Sequence, residues 1–207
     1  MKKRVVAFAA KVSCTSTDDL GHCKLKKSEE NAFLNRSHKR TFEVYQYSNG
    51  WDIINVLINN SEPEVNEIII HDHGFFGGII GDGDGTGMYT ESYYNQRSFL
   101  TQASAGAFAY RVSLGAIKLA NSCSIVIFGC NVSIFAQELS QRLGEIGRGD
   151  ISVTGADNSV YEKNGMAHVD SNEKGNNNIY SKRHDPGKFW TYKNGVAVSS
   201  RPTWSYR

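Results

Sequence analysis

The chain has 207 residues, 40% hydrophobic and 21% charged, with 23 Lys and Arg against 21 Asp and Glu for a formal net charge of +2. That length can bury a good core in one domain, 1–207. The near-balanced charge provides no global field to draw nucleic acid or an anionic membrane surface, and no apolar run approaches the roughly 20 residues of a membrane span.

Met1-Lys2-Lys3-Arg4 followed by Val5–Ala10 imitates the start of a secretory signal. Lys11 ends the apolar stretch one residue short of the usual minimum of about seven, and no clean cleavage site follows. The segment is therefore expected to be the first strand. The protein should be soluble and cytoplasmic in the cell that makes it, with any secretion into a target cell using a route without a cleaved signal. Four cysteines, Cys14, Cys23, Cys123 and Cys130, lack the close paired spacing of a disulfide framework or zinc knuckle. Cys14, His22, Cys23 and His38 match no recognised ligand pattern. Reduced thiols, no metal and no required cofactor are expected.

Residues 13 to 40 are rich in polar residues and read as an exposed loop or short polar helix. Thr41–Tyr47 reads as a strand, and Asn49-Gly50 as a turn. Trp51, Ile53, Ile54, Leu57 and Ile58 share one side of a helix that ends before Pro63, and Glu67–His71 is a buried strand. Gly81–Gly87 opens like a calcium loop, but the twelfth position from Asp82 is Tyr93, not a bidentate Glu, and no Gly-Lys-Ser/Thr ending marks a phosphate cradle. A flexible loop is expected there.

Ser98 to Asn121 carries apolar residues at helical spacing, which predicts one helix interrupted near Gly106 or Gly115. Ser124–Phe128 is nearly all apolar, as a central parallel strand requires. Val132, Phe135, Ala136, Leu139, Leu143 and Ile146 predict the next helix, and Ile151–Thr154 a further strand. After Asn158, Lys188–Tyr192 and Val196–Val198 flank Lys193-Asn194-Gly195, a strong hairpin signal. The expected fold is α/β: a mostly parallel, doubly wound central sheet flanked by helices (core about 41–160), with a C-terminal antiparallel hairpin region at about 158–200.

His73 and Cys130 each lie just past a short apolar run. Side chains at the carboxyl ends of neighbouring parallel strands converge on one crevice, so a His and a Cys delivered there can become partners. A thiol attacks as thiolate, which an adjacent imidazolium or a helix N-terminus favours, and a helix is expected to begin just after Cys130. A free cysteine is also commonly a small buried apolar residue, a description that fits Cys123 better. His71 and His73 share one face of an extended strand and Asp72 the other. His73, at the mouth of the crevice, is the better base, with His71 packed or supporting. The Gly74 and Cys130 amides are candidate oxyanion donors.

Strand-His73-Gly74, a long insertion and strand-Gly129-Cys130 resemble the caspase-type cysteine peptidases. Phe128-Gly129-Cys130-Asn131-Val132, an amphipathic helix and Val153-Thr154-Gly155-Ala156-Asp157 are similar to a bacterial domain of that fold found in large surface proteins. The resemblance covers roughly residues 41 to 160 and implies a three-layer caspase-like fold. It further implies a His73–Cys130 dyad that cleaves a protein substrate through an acyl-enzyme, with Gly74 in the oxyanion hole. Papain-like and NlpC-type enzymes place the Cys first, against the order here. Asp157 is a candidate for the substrate pocket, or else a turn residue. Toxin autoprocessing domains of this type are activated by inositol hexakisphosphate, and Lys182, Arg183, Lys188 and Lys193 are the corresponding candidates here. The same basic residues would also suit a solvated sheet edge. The functional expectation is a monomeric bacterial cysteine peptidase acting as an effector or toxin. An amidase or acyltransferase with the same dyad and a catalytically silent ligand-binding module stand as alternatives.

Overall fold

The computed structural model describes residues 3–10, 14–17, 23–25, 40–81, 86–95, 103–163, 166–169 and 187–205. Strands β1 (Lys3–Ala10), β2 (Cys14–Thr17), β3 (Cys23–Leu25) and β4 (Arg40–Tyr47) precede helix α1 (Gly50–Asn60). Next come β5 (Val65–His71), β6 (Gly74–Phe75), β7 (Gly78–Ile79), β8 (Met88–Tyr89), the single turn α2 (Glu91–Tyr94), β9 (Ala103–Ser104) and α3 (Ala105–Ser113). The chain continues through β10 (Leu119–Phe128), α4 (Ser133–Glu145), β11 (Ser152–Ala156), β12 (Val160–Lys163), β13 (Met166–Val169), β14 (Phe189–Lys193), β15 (Val196–Arg201) and β16 (Thr203–Ser205).

β1 explains how the sheet is buried. Val6, Phe8 and Ala10 join one apolar cluster while Val5, Ala7 and Ala9 join another, so its unbroken apolar run serves two covered faces. The same division recurs in β5, with Ile68 and Ile70 against Ile69, and in β10, with Ile125 and Ile127 against Val126 and Phe128. The seven-stranded sheet has the order β15-β14-β11-β10-β5-β1-β4. β4, β1, β5, β10 and β11 pair in parallel, and β14 and β15 add antiparallel neighbours. The molecule is thus mixed α/β with a mostly parallel central sheet. Three of its strands, β1, β14 and β15, come from outside residues 41–160. Strand order reverses between β1 and β5, the place where open parallel sheets form a crevice at their carboxyl ends.

Helices α1, α3 and α4 all feed the first cluster, through Ile53, Ile54 and Leu57, through Phe108, Ala109 and Val112, and through Phe135, Ala136, Leu139 and Leu143. Among the described residues the second face is covered by strand residues, Ala167 and Val169 with Val160 and Trp204. No helix among them is long and apolar enough to cross a membrane.

Local chemistry sets the element boundaries. Asn49-Gly50, expected as a turn, is the start of α1: the Asn49 side chain accepts from the Asp52 amide at 3.1 Å, and the Asp52 carboxylate accepts from the Ser48 and Asn49 amides at 2.9 and 3.1 Å. This reciprocal box satisfies amides that a helix otherwise leaves open. The long helix expected over Ser98–Asn121 is corrected to the short α3. Ser104 caps its start by accepting from the Ala107 amide at 3.0 Å, and Gly115, with φ +69°, ends it in the left-handed region that favours glycine. β10 then begins at Leu119, earlier than expected, because Arg148 donates to the Leu119 and Ala120 carbonyls and Asp150 accepts the Ser122 amide.

Asn194 and Gly195, at φ +50° and +74°, join β14 to β15 in the paired positive-φ geometry of a tight two-residue connection. The turn is docked on α4: the Gly195 amide donates to buried Ser140 Oγ at 2.9 Å, and Gln137 Nε2 donates to the Gly195 carbonyl at 2.9 Å.

Asn49→Ala removes the cap of α1 while leaving its apolar face intact. It should destabilise the protein by about 1 kcal/mol, read as a lower urea midpoint with unchanged slope.

Candidate functional site

β5 and β10 pair in register, with Ile68 opposite Ile125, Ile69 opposite Val126, Ile70 opposite Ile127 and His71 opposite Phe128. The Asp72 amide continues the ladder by donating to the Phe128 carbonyl at 3.1 Å. Two residues beyond the last pair stand His73 and Cys130. Alternation along both strands assigns them to the face that already holds Ile69, Val126 and Phe128. His71 follows that alternation, its ring centroid 6.3 Å from that of Phe128.

The two chain ends touch through their glycines. A Cβ on Gly74 would stand 2.7 Å from the Cys130 carbonyl oxygen and 3.2 Å from its amide nitrogen, and would overlap Val132. One on Gly129 would stand 3.2 Å from the Asp72 carbonyl oxygen and 3.5 Å from the Gly74 Cα. Only side-chain-free residues permit this approach of the two backbones. The Ile80 amide donates to the His73 carbonyl at 3.0 Å, while the His73 amide donates to Asp72 Oδ1. Gly74 then pairs with Ile79 in the β6–β7 ladder. β6 is the edge of its small sheet, and the Cys130 backbone lies against Gly74.

Cys130 is half-buried, and its Sγ accepts the Val160 amide at 3.4 Å. Asn131 holds φ +58°, and its amide donates to the Asn158 carbonyl at 3.1 Å. This bend turns the chain from β10 into α4, whose first residue Ser133 pairs its hydroxyl with Tyr192 at 2.6 Å. His73 is exposed at the rim. Cys123 is fully buried, and burial pushes its thiol up to about 12, so it is chemically silent at neutral pH. The side chains of Cys14 and Cys23, the residues 82–85 of the Gly-Asp stretch, and Lys182 and Arg183 lie outside the described residues. Among the described residues, no group of three or more His, Cys, Asp or Glu is placed to hold a metal ion.

Of the remaining candidates, Asp157 is exposed, and its two carboxylate oxygens are engaged by β14: Oδ1 accepts the Lys188 amide and Oδ2 the Trp190 indole N–H, each at 2.7 Å. It ties the end of β11 to the start of β14. Lys188 lies just before β14, its Nζ 5.8 Å from the centroid of the Trp190 ring, and Lys193 ends that strand. At about 3.3 Å per residue the two lysines are a strand length apart and do not converge.

The residue that sequence reading underrated is Asp72. It is 7% exposed, and its carboxylate accepts three donors: the Tyr47 hydroxyl and the Gly81 amide (2.8 Å) on Oδ2, and the His73 amide (2.6 Å) on Oδ1. Burial pushes its pKa up to about 6 against the opposing pull of these donors and of His73. Its alternation away from the two histidines was a visible signal. That Tyr47 and Gly81 would meet it was not.

His71 shows the reverse effect. Burial, reinforced by the nearby His73, lowers it to about 4, so it is neutral at physiological pH. The two neighbours act on stability with opposite signs. His71, lowered from 6.5, contributes stability that is present above 6.5 and is lost as pH falls toward 4. Asp72, raised from 3.8, contributes stability that is present below 3.8 and is lost as pH rises toward 6. In the shared window of about pH 4 to 6 their slopes largely cancel. Asp72→Asn should therefore steepen the fall in melting temperature on acidification relative to wild type, and His71→Gln should flatten or reverse it. Melting curves taken between pH 4 and 7 would show both. Parallel curves for all three proteins would refute the assignment.

Set against known proteins, the chain matches no family model, and no curated protein or solved structure matches it at a significant level.

Proposed function

We propose that the chain is a cysteine endopeptidase of the caspase-like kind, with His73 and Cys130 as its dyad. The observation that carries this reading is the in-register pairing of β5 with β10, which ends in Gly74 packed on the backbone of Cys130. It supports the reading because the histidine and the thiol then leave adjacent strand ends on the same face, with two backbone amides beside them.

In this mechanism His73 takes the thiol proton as Cys130 Sγ attacks the substrate carbonyl carbon. The tetrahedral oxyanion accepts hydrogen bonds from the Gly74 and Cys130 amides. Collapse breaks the C–N bond, His73 returns the proton to the leaving amine, and the acyl group remains on sulfur as a thioester. Water, deprotonated by His73, then attacks the thioester and regenerates the thiol. The Val160 N–H donates to Sγ at 3.4 Å and fixes where the sulfur sits. Val160 belongs to the strands that cover the second face, so the nucleophile is held from outside its own strand.

Incubation of a cell proteome with the protein and identification of new chain termini by mass spectrometry tests the reaction. New termini should form with wild type and be lost by a factor of about a thousand or more with Cys130→Ala or His73→Ala, both still folded. Hydrolysis of simple amides without new protein termini would move the assignment to an amidase or acyltransferase. Inertness of wild type in both assays would leave a binding module.

A role as a secreted bacterial effector or toxin, switched by a polyanion such as inositol hexakisphosphate, belongs to the same proposal. Its support is the basic sequence of Lys182, Arg183, Lys188 and Lys193. Lys188 and Lys193 sit at opposite ends of β14, so a single polyanion would engage one of them and not both. Inositol hexakisphosphate should then raise the melting temperature, and the double change Lys182→Gln with Arg183→Gln should erase the rise. An unchanged melting temperature in wild type would remove the activator.

A further inference from the structure

The Asp72 carboxylate gathers three separate pieces of chain at the carboxyl end of the sheet. Tyr47 ends β4, His73 follows β5, and Gly81 follows β7. Gly81 has φ +73°, and a Cβ there would stand 2.7 Å from the Ser48 carbonyl oxygen and 2.9 Å from Thr86 Oγ1, so the loop root is pressed against the end of β4. Thr86 Oγ1 in turn donates to the Ile80 carbonyl at 3.0 Å. The nearby Asp52 carboxylate is occupied by the Ser48 and Asn49 amides. Among the described residues, the titratable groups facing Asp72 are Tyr47 from β4 and His73, two residues past the end of β5.

We propose that Asp72 is a positioning residue of the site: its carboxylate, clamped between Tyr47, Gly81 and the His73 amide, sets the height and direction at which His73 and Gly74 meet Cys130. The inference rests on the dyad reading above. It goes beyond it by giving a mechanical role to a group that touches neither thiol nor substrate. A carboxylate is needed because the donors approach both oxygens. An asparagine at this position has one acceptor oxygen, and its NH2 group must face either the His73 amide or the Gly81 amide, neither of which can accept. Losing the His73 amide contact frees the step from β5 to Gly74, which is the step that brings the two strand ends together. Burial disfavours the Asp72 anion and the three donors oppose that effect, so the carboxylate depends on them to stay ionised in this position.

The test uses the full chain and iodoacetamide as the probe of Cys130, with the rate followed from pH 5 to 9 by peptide mass spectrometry. Wild type, His73→Ala, Asp72→Asn and Tyr47→Phe are compared after circular dichroism has established that each is folded. Asp72→Asn should slow alkylation at neutral pH by about tenfold to a hundredfold and move its pH profile onto that of His73→Ala. Tyr47→Phe, which leaves the two amide donors in place, should fall between. In wild type the amide resonances of His73 and Gly81 should shift together on acidification with one midpoint, and in Asp72→Asn this shared shift should vanish. An Asp72→Asn profile that overlays wild type while His73→Ala is slow would overturn the positioning role and leave the dyad standing. A His73→Ala profile that overlays wild type would overturn the dyad, and the positioning role with it. If Asp72→Asn does not fold, His73 and Gly81 amides that titrate independently in wild type would overturn the proposal on their own.

Discussion

Register between β5 and β10 is the constraint on which the candidate site depends. In parallel strands a slip of one residue moves every side chain to the other face. Such a slip would put Asp72 where His71 now stands, beside Phe128, and drive a carboxylate into the apolar cluster there. Register is secured by burial on both faces: Ile68, Ile70, Ile125 and Ile127 lock against the helices, and Ile69, Val126 and Phe128 against the strands opposite. The glycines at positions 74 and 129 turn that register into contact, since each leaves room for the other chain's backbone.

Around this seam the protein places a neutral imidazole and a buried carboxylate on consecutive residues pointing to opposite faces. His71 is kept uncharged by the apolar layer beneath the site, whereas Asp72 keeps its donors on the helical side. Burial disfavours the charged form of each, which lowers one constant and raises the other. His73, the exposed residue that follows them, acts electrostatically on both. His73 is thereby preceded by two groups whose own titrations lie below neutrality.

The Cys130 side is braced from the later part of the chain. Val160 donates to Sγ, Asn158 accepts the Asn131 amide, and Tyr192 pairs with Ser133 at the start of α4. Asp157 fastens β14 to the end of β11, and the Asn194-Gly195 turn rests on Ser140 and Gln137 of α4. The antiparallel strands after β11 therefore bear on the geometry of Cys130. Arg201 stacks on Trp204 at 3.7 Å from the ring centroid, so one of the basic residues of this region already has an aromatic partner.

Much of the architecture was written in local pattern. Continuous apolar runs at Val5–Ala10, Glu67–His71 and Ser124–Phe128 required strands covered on both sides, and the helical spacing from Ile53 to Leu57 and from Phe135 to Leu143 required amphipathic helices. Those periodicities also put His73 and Cys130 at strand ends, because each run stops where polar or glycine residues begin. Other features were decided by contacts distant in sequence. The length of the helix before β10 was set by the Ser104 cap and Gly115, and the early start of β10 by Arg148 and Asp150, about thirty residues later. Strand order, the Tyr47–Asp72–Gly81 junction and the Val160 amide on sulfur came from tertiary structure alone. Periodicity records which face of an element is buried, but it carries no information about which other element covers it.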